Sequence, residues 1–385
     1  MRNQEKLHPG RNGYPDLLKR REFFRRVSSA ALGALAAGTV SPSARAQEYN
    51  SVSGLPTGTL GRTGLKVTSL GYGGIAITDP AVLVRAIEAG LNLAHIAPDY
   101  QNGRSIEAFG RAMKTHRQGV ILALKERPEN IDKALQALNT DFIDLLLPPV
   151  DSPELLADLR MAESFQRAKK AGKCGFLGFA CHSRMTEVME AARNYDYFDV
   201  ALISYANTQD PYFHTALRKL SQAGMGILAM KGLPHRKGEV FTEKEIALAG
   251  SLCRTMVQRW CASSVLVTIE NLQALAAYRR IMETEFSFAE PELENRYFAE
   301  RALTDCSMCG RCSGVCPRGV EISRVLRYRA YHADYRLADY ARSRYASLSV
   351  VPDLQQCAGC RQCEAVCSRR LPLADLLIDA HSRLA

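Results

Sequence analysis

Residues 79–96 read DPAVLVRAIEAGLNLAHI, and this stretch reads as a helix that delivers the chain into a strand. Asp79 can cap the helix, Pro80 suits its first turn, and Gly90 suits its C-terminal exit. The apolar run LNLAHI follows. The same alternation of short apolar runs and amphipathic stretches recurs from about residue 65 to residue 282. Its strand candidates are KVTSLGYGG, LNLAHI, VILALK, FIDLLL, GFLGFA, VALIS, GILAM and SVLVTI. Eight strand-then-helix units in about 220 residues predict an α/β fold with a closed parallel barrel. A doubly wound sheet is the alternative, and counting units does not separate the two.

The chain has 385 residues, 46% of them apolar, and a formal charge of +10. That charge is uneven. Residues 1–46 hold nine Lys/Arg and three Asp/Glu, a net +6, which leaves +4 for the rest. A nucleic-acid partner is therefore not expected, because it needs a basic face on the folded domain. Within residues 19–25, KRREFFR, the pair Arg20-Arg21 is followed by Phe23 and Arg25. Then come VSSAALGALAAGTV and an A-x-A site at Ala44-Arg45-Ala46. This order resembles a twin-arginine export signal. The alternative is an amphipathic N-terminal helix. The apolar run is shorter than the roughly 20 residues of a membrane span, and no later run reaches that length. The mature chain is thus expected to begin near Gln47, outside the cytoplasm and without a membrane span.

Eight of the twelve cysteines fall between Cys306 and Cys367. CSMCGRCSGVC supplies Cys306, Cys309, Cys312 and Cys316; CAGCRQCEAVC supplies Cys357, Cys360, Cys363 and Cys367. Both runs are C-x2-C-x2-C-x3-C, the spacing of bacterial two-cluster ferredoxins, in which the fourth cysteine of each run serves the other cluster. The expected ligand sets are therefore Cys306, Cys309, Cys312 and Cys367 for one 4Fe-4S cluster, and Cys357, Cys360, Cys363 and Cys316 for the other. Zinc, which prefers CxxC pairs with a long gap, and disulfides are the alternatives. Pro317 follows the first run; Ser368 stands where the second would have its proline. Between the runs, SRVLRYRAYHADYRLADYARSRY (323–345) has no Gly or Pro and reads as a helix. Packing and solvation account for it. A second reading makes Arg324, Arg327, Arg329, Arg336, Arg342 and Arg344 a basic docking face for a redox partner protein.

TLGRTGLKVTSLGYGG, NGRSIEAFGRAM and KKAGKCGFLGF together resemble an aldo-keto reductase over roughly residues 57–282. The resemblance implies a (β/α)8 TIM barrel with a hairpin closing its floor, NADP(H) as cofactor, and reduction of a small carbonyl, or oxidation of an alcohol. The family's tyrosine acid corresponds to Tyr100 and its lysine to Lys125. Its aspartate is replaced by His95 and its histidine by Pro149. Gly73, Gly74, Lys231 and Asn271 match positions near the cofactor. Ala180, Cys181 and Leu202 replace the polar residues that hold the nicotinamide amide. A protonated His95 would repel Lys125, and Asp99 is the one loop carboxylate that could substitute.

The resulting organisation is a signal over 1–46, a lead and hairpin over 47–64, a barrel over 65–290, and a small, mainly helical two-cluster ferredoxin-like domain over 295–385. The function expected of it is an exported iron-sulfur oxidoreductase. The alternative is an electron-transfer or scaffold subunit whose barrel is inactive.

Overall fold

The computed structural model describes residues 55–205, 210–233, 242–283, 291–351 and 353–385. Residues 1–46, over which an export signal is expected, lie outside them. Two short strands, β1 (Thr57–Thr59) and β2 (Lys66–Thr68), pair antiparallel as a hairpin. Eight parallel strands then close into a barrel: β3 (Leu70–Gly73), β4 (Leu93–Ile96), β5 (Ile121–Leu124), β6 (Ile143–Leu146), β7 (Cys174–Cys181), β8 (Val200–Ser204), β9 (Gly226–Met230) and β10 (Ser264–Thr268). Pairing of β10 with β3, Val265 opposite Leu70 and Thr268 opposite Gly73, shuts the barrel and removes the doubly wound alternative.

The eight apolar runs are the eight strands, with one adjustment. KVTSLGYGG is two elements, since Lys66–Thr68 belongs to the hairpin and only Leu70–Gly73 to the barrel. The hairpin plugs the floor. Leu60, Leu65 and Val67 join Leu93, Ile121, Leu145, Val200 and Leu228 in the barrel interior. The Arg62 amide donates to the Gly224 carbonyl, just before β9, at 2.7 Å. Gly61 has φ +48, and a Cβ there would overlap the backbone of Gly226.

The helices around the barrel are α1 (Pro80–Glu88), α2 (Arg104–His116), α3 (Ile131–Leu138), α4 (Leu159–Lys170), α5 (Met185–Ala192), α6 (Pro211–Gln222), α7 (Glu243–Arg254) and α8 (Leu272–Glu283). Helix α1 starts as its sequence requires. Asp79 accepts from the Ala81 amide at 2.9 Å, Pro80 is the first residue, and Gly90 leaves with φ +98.

The remaining helices are α9 (Pro291–Thr304), α10 (Ile322–Ala333), α11 (Ala338–Ala346), α12 (Leu354–Cys360), α13 (Gln362–Ala365) and α14 (Leu373–Leu384). The single helix expected over 323–345 is instead α10 and α11, broken at Asp334–Leu337, where Arg336 takes φ +50. Packing explains the break. Turning the chain back sets Tyr331 of α10 against Tyr340 of α11, ring centres 5.7 Å apart. No helix among the described residues is long and apolar enough to cross a membrane.

Candidate functional site at the barrel mouth

Side chains two apart on a strand share a face. Leu93 points into the barrel core, so His95 lies on the same face at the mouth, and it is buried. Tyr100 opens a one-turn helix after β4 and is also buried. The Lys125 amide extends the β5 ladder by donating to Ile96 at 2.8 Å. Its Nζ lies 4.5 Å from the centre of the Tyr100 ring and 3.9 Å from Asp99. The structure thus brings Tyr100 and Lys125 together, and Asp99 stands by the lysine where His95 cannot serve.

His95 does not repel Lys125. Burial, and secondarily the Lys125 charge, push its pKa down to about 3, so the imidazole is neutral. Its Nε2 is buried without a hydrogen-bond partner. Burial, then the Asp99 carboxylate, raise Tyr100 well above the ordinary phenol range, with Arg327 opposing. The phenol keeps its proton, and Lys125 does not make it a strong acid.

The His95 shift has a stability consequence. An unfolded histidine takes up its proton near pH 6.5, and the folded one near pH 3. The unfolded state therefore binds more protons in between. The stability that the neutral ring contributes is complete above pH 6.5 and is lost as pH falls toward 3, by about 1.4 kcal/mol per pH unit. His182, also pushed down by burial, adds to the same acid limb. Urea unfolding should show a His95→Gln variant with a shallower loss of stability between pH 6 and pH 4 than the parent, the window being set by those two pKa values; equal slopes would refute the assignment.

Helices α10 and α11 lie across this mouth. Tyr340 donates from its hydroxyl to Asp99 at 3.3 Å, and Arg344 sits 3.6 Å from the same carboxylate. Arg327 pairs with Asp151 at 3.5 Å, and Asp151 also accepts the His182 amide at 2.7 Å. Lys231 donates to the Tyr331 hydroxyl at 3.2 Å. The Tyr340 ring meets Tyr100 edge-on at 6.2 Å. The space left, lined by Gly73, Gly74, His95, Tyr100, Lys231 and Tyr331 among others, is about 60 Å³. Sites for cofactors and drug-sized ligands are ~300–1,000 Å³, so the space beside Tyr100 is small for one while these helices are seated.

The positions matched to a cofactor site have other duties here. A Cβ on Gly74 would stand 2.5 Å from the Phe109 ring, and one on Gly73 3.0 Å from the Val267 carbonyl, so close packing requires both glycines. Asn271 accepts from the Ala274 amide at 2.8 Å, at the start of α8. Cys181 is buried, and burial raises its thiol well above the usual range, so it is not a reactive group. Four of the six arginines of the segment have carboxylate partners within the chain. Arg327, Arg329, Arg344 and Arg324 are held by Asp151, Asp379, Asp99 and Glu321. Sequence reasoning missed Asp151, His182, Tyr331 and Tyr340 as mouth residues. The four-residue step from Arg327 to Tyr331 to Tyr335 was the available signal, because it marks one helix face.

The two cysteine runs meet in the tail. Cys306 has Cys309 and Cys367 as electrostatic neighbours, and Cys312 has Cys306, Cys309 and Cys363. Cys357 has Cys316 and Cys360, and Cys363 has Cys357 and Cys316. Cysteines of the two runs are thus neighbours across the tail. Burial raises Cys306 to about 11 and Cys312 to about 12. The Met308 amide donates to the Cys306 sulfur and the Leu371 amide to the Cys367 sulfur, each at 3.4 Å. Ser368 stands 3.7 Å from the Cys309 sulfur. All twelve cysteines are free thiols. Among the described residues, no three Cys, His, Asp or Glu side chains form a ready-made site for a metal ion.

The barrel has the fold of aldo-keto reductases. The holo form of aldo-keto reductase AKR11C1 from Bacillus halodurans superposes with a TM-score of 0.51 at 17% identity, covering 64% of this chain and 96% of that one. Its apo form gives a TM-score of 0.50 at 19% identity with the same coverage, 64% and 96%. No protein-family model matches the chain, and no curated protein matches it.

Proposed function

We propose that this chain is an exported iron-sulfur oxidoreductase. An aldo-keto-reductase-type barrel is joined to a ferredoxin-type tail, and electrons pass between a small carbonyl or alcohol compound and two 4Fe-4S clusters. The grouping of the cysteines supports this most. Cys306, Cys309 and Cys312 gather with Cys367, and Cys357, Cys360 and Cys363 with Cys316. That exchange of the fourth ligand is the arrangement of paired cubanes on C-x2-C-x2-C-x3-C runs. Such clusters, when bound, take up and release single electrons. The chain's own part is to hold them. The Met308 and Leu371 amides reach two of the sulfurs, and hydrogen bonds to sulfur adjust cluster potential. Arg369 faces Cys306 and Cys309 and offsets thiolate charge.

At the barrel mouth, Tyr100 holds a proton that it can deliver to a substrate oxygen. The unpartnered Nε2 of neutral His95 is positioned to orient that oxygen. Export by the twin-arginine route fits a protein that acquires clusters before it leaves the cytoplasm, since that route carries folded chains. An acceptor or donor protein outside the cytoplasm then completes the circuit.

The sealed mouth and the raised Tyr100 favour one second reading, an electron-transfer subunit whose barrel is a scaffold. One set of experiments addresses both. Protein purified without oxygen should be brown and carry about eight irons per chain; a folded, colourless, iron-free chain would end the cluster proposal. Reduced protein should then be reoxidised by a small carbonyl compound, and Tyr100→Phe should lower that rate by ~10²-fold or more. Reoxidation by an artificial electron acceptor but by no carbonyl would select the scaffold reading.

A further inference from the structure

A second cavity, of about 440 Å³, lies between the barrel rim and the tail, where Lys231 faces α9 and α10. It falls within the ~300–1,000 Å³ range of small-molecule sites. Its wall carries Lys231, Arg301, Arg327 and Tyr331 together with the carboxylates Asp305 and Asp334, and its apolar side is Leu233, Leu326 and Leu376; Cys306 also lines it.

Its charges are unevenly matched. Arg327 is held by Asp151 and Arg301 by Asp305 at 2.5 Å. Arg369, not Lys231, is the cation that faces Cys306 and Cys309. Lys231 has the Tyr331 hydroxyl at 3.2 Å and the Tyr331 ring 4.8 Å below it. Among the described residues no carboxylate lies within ion-pair distance of Lys231. A buried ammonium without a counter-ion is costly, and burial, with Arg327 and Lys125 nearby, holds Lys231 well below the usual lysine range. The groups that face it are Arg327, Lys125, Asp151 and Arg301, together with Tyr331 and His182. Its backbone takes φ +60, in the left-handed region.

We infer that this cavity binds a small organic monocarboxylate, its carboxylate on Lys231 and the Tyr331 hydroxyl and its apolar body along Leu233 and Leu326. A carboxylate seated beside Lys231 would supply the counter-ion it lacks and restore its ammonium form, so one negative charge suffices. A phosphate dianion would need a second cation, and the two nearest arginines are already taken. The site does not depend on chemistry at Tyr100 or on the cluster assignment, so its failure would leave the proposed function standing.

The test is calorimetric titration of the full mature chain with pyruvate, 2-oxobutyrate and benzoate, and with inorganic phosphate. Carboxylate binding is expected, with affinity at least about tenfold weaker in Lys231→Met, the loss that one charged hydrogen bond predicts. Tyr331→Phe should weaken it less. Circular dichroism of both variants guards against misfolding. No heat from any carboxylate at millimolar concentration with folded parent protein would overturn the proposal. Unchanged affinity in Lys231→Met, or phosphate binding tighter than every carboxylate, would also overturn it.

Discussion

A chain carrying Cys306→Ala together with Cys367→Ala is expected to keep about four of its eight irons, whereas Cys306→Ala with Cys316→Ala should keep almost none. The reasoning is spatial. Cys306 and Cys367 are neighbours although 61 positions apart in sequence, while Cys316 sits with Cys357 and Cys363. The first pair therefore strips two ligands from one cluster and none from the other. The second pair damages both. If each run held its own cluster, the two results would exchange. Iron and acid-labile sulfide analysis of the oxygen-free proteins reads this directly. The exchanged pattern would refute the interleaved assignment, and equal iron in both variants would refute the clusters as four-thiolate centres.

Arg327→Ala should lower the unfolding free energy by ~3 kcal/mol or more, the usual effect of removing one partner of a buried ion pair. Only 13% of the Arg327 side chain and 23% of Asp151 are exposed, so solvent screens the pair weakly. Without the guanidinium, Asp151 keeps the His182 amide but loses its nearest countercharge. The loss should also unseat the neighbouring Tyr331 and open the barrel mouth. Arg327→Lys should recover part of the stability, because it restores charge but not the planar fork. Urea unfolding measures the first effect. Amide hydrogen exchange in residues 96–104 measures the second, and should speed up in Arg327→Ala. Unchanged stability and unchanged exchange would mean that the tail is not fastened to the barrel through this pair.

Local chemistry carried much of this architecture. Asp79, Pro80 and Gly90 each sit where capping and turn preferences place them, and the eight apolar runs became the eight strands. Where local reading failed, a long-range partner had intervened. The run from Ser323 to Tyr345 contains nothing that breaks a helix, yet it turns at Arg336 so that Tyr331 and Tyr340 can stack over the barrel. His95 looked like an electrostatic liability beside Lys125. It is harmless because burial makes its charged form too costly to populate.

Strand count, the start and exit of α1, cysteine spacing and the presence of Tyr100 and Lys125 were determined by the amino-acid sequence alone, since each rests on neighbours a few residues away. Tertiary structure alone decided that Asp99 attends Lys125 and that α10 and α11 cover the mouth. Those outcomes depend on which buried faces and charges meet across the fold. A helical or strand period records that a face will be covered, and carries no record of what covers it.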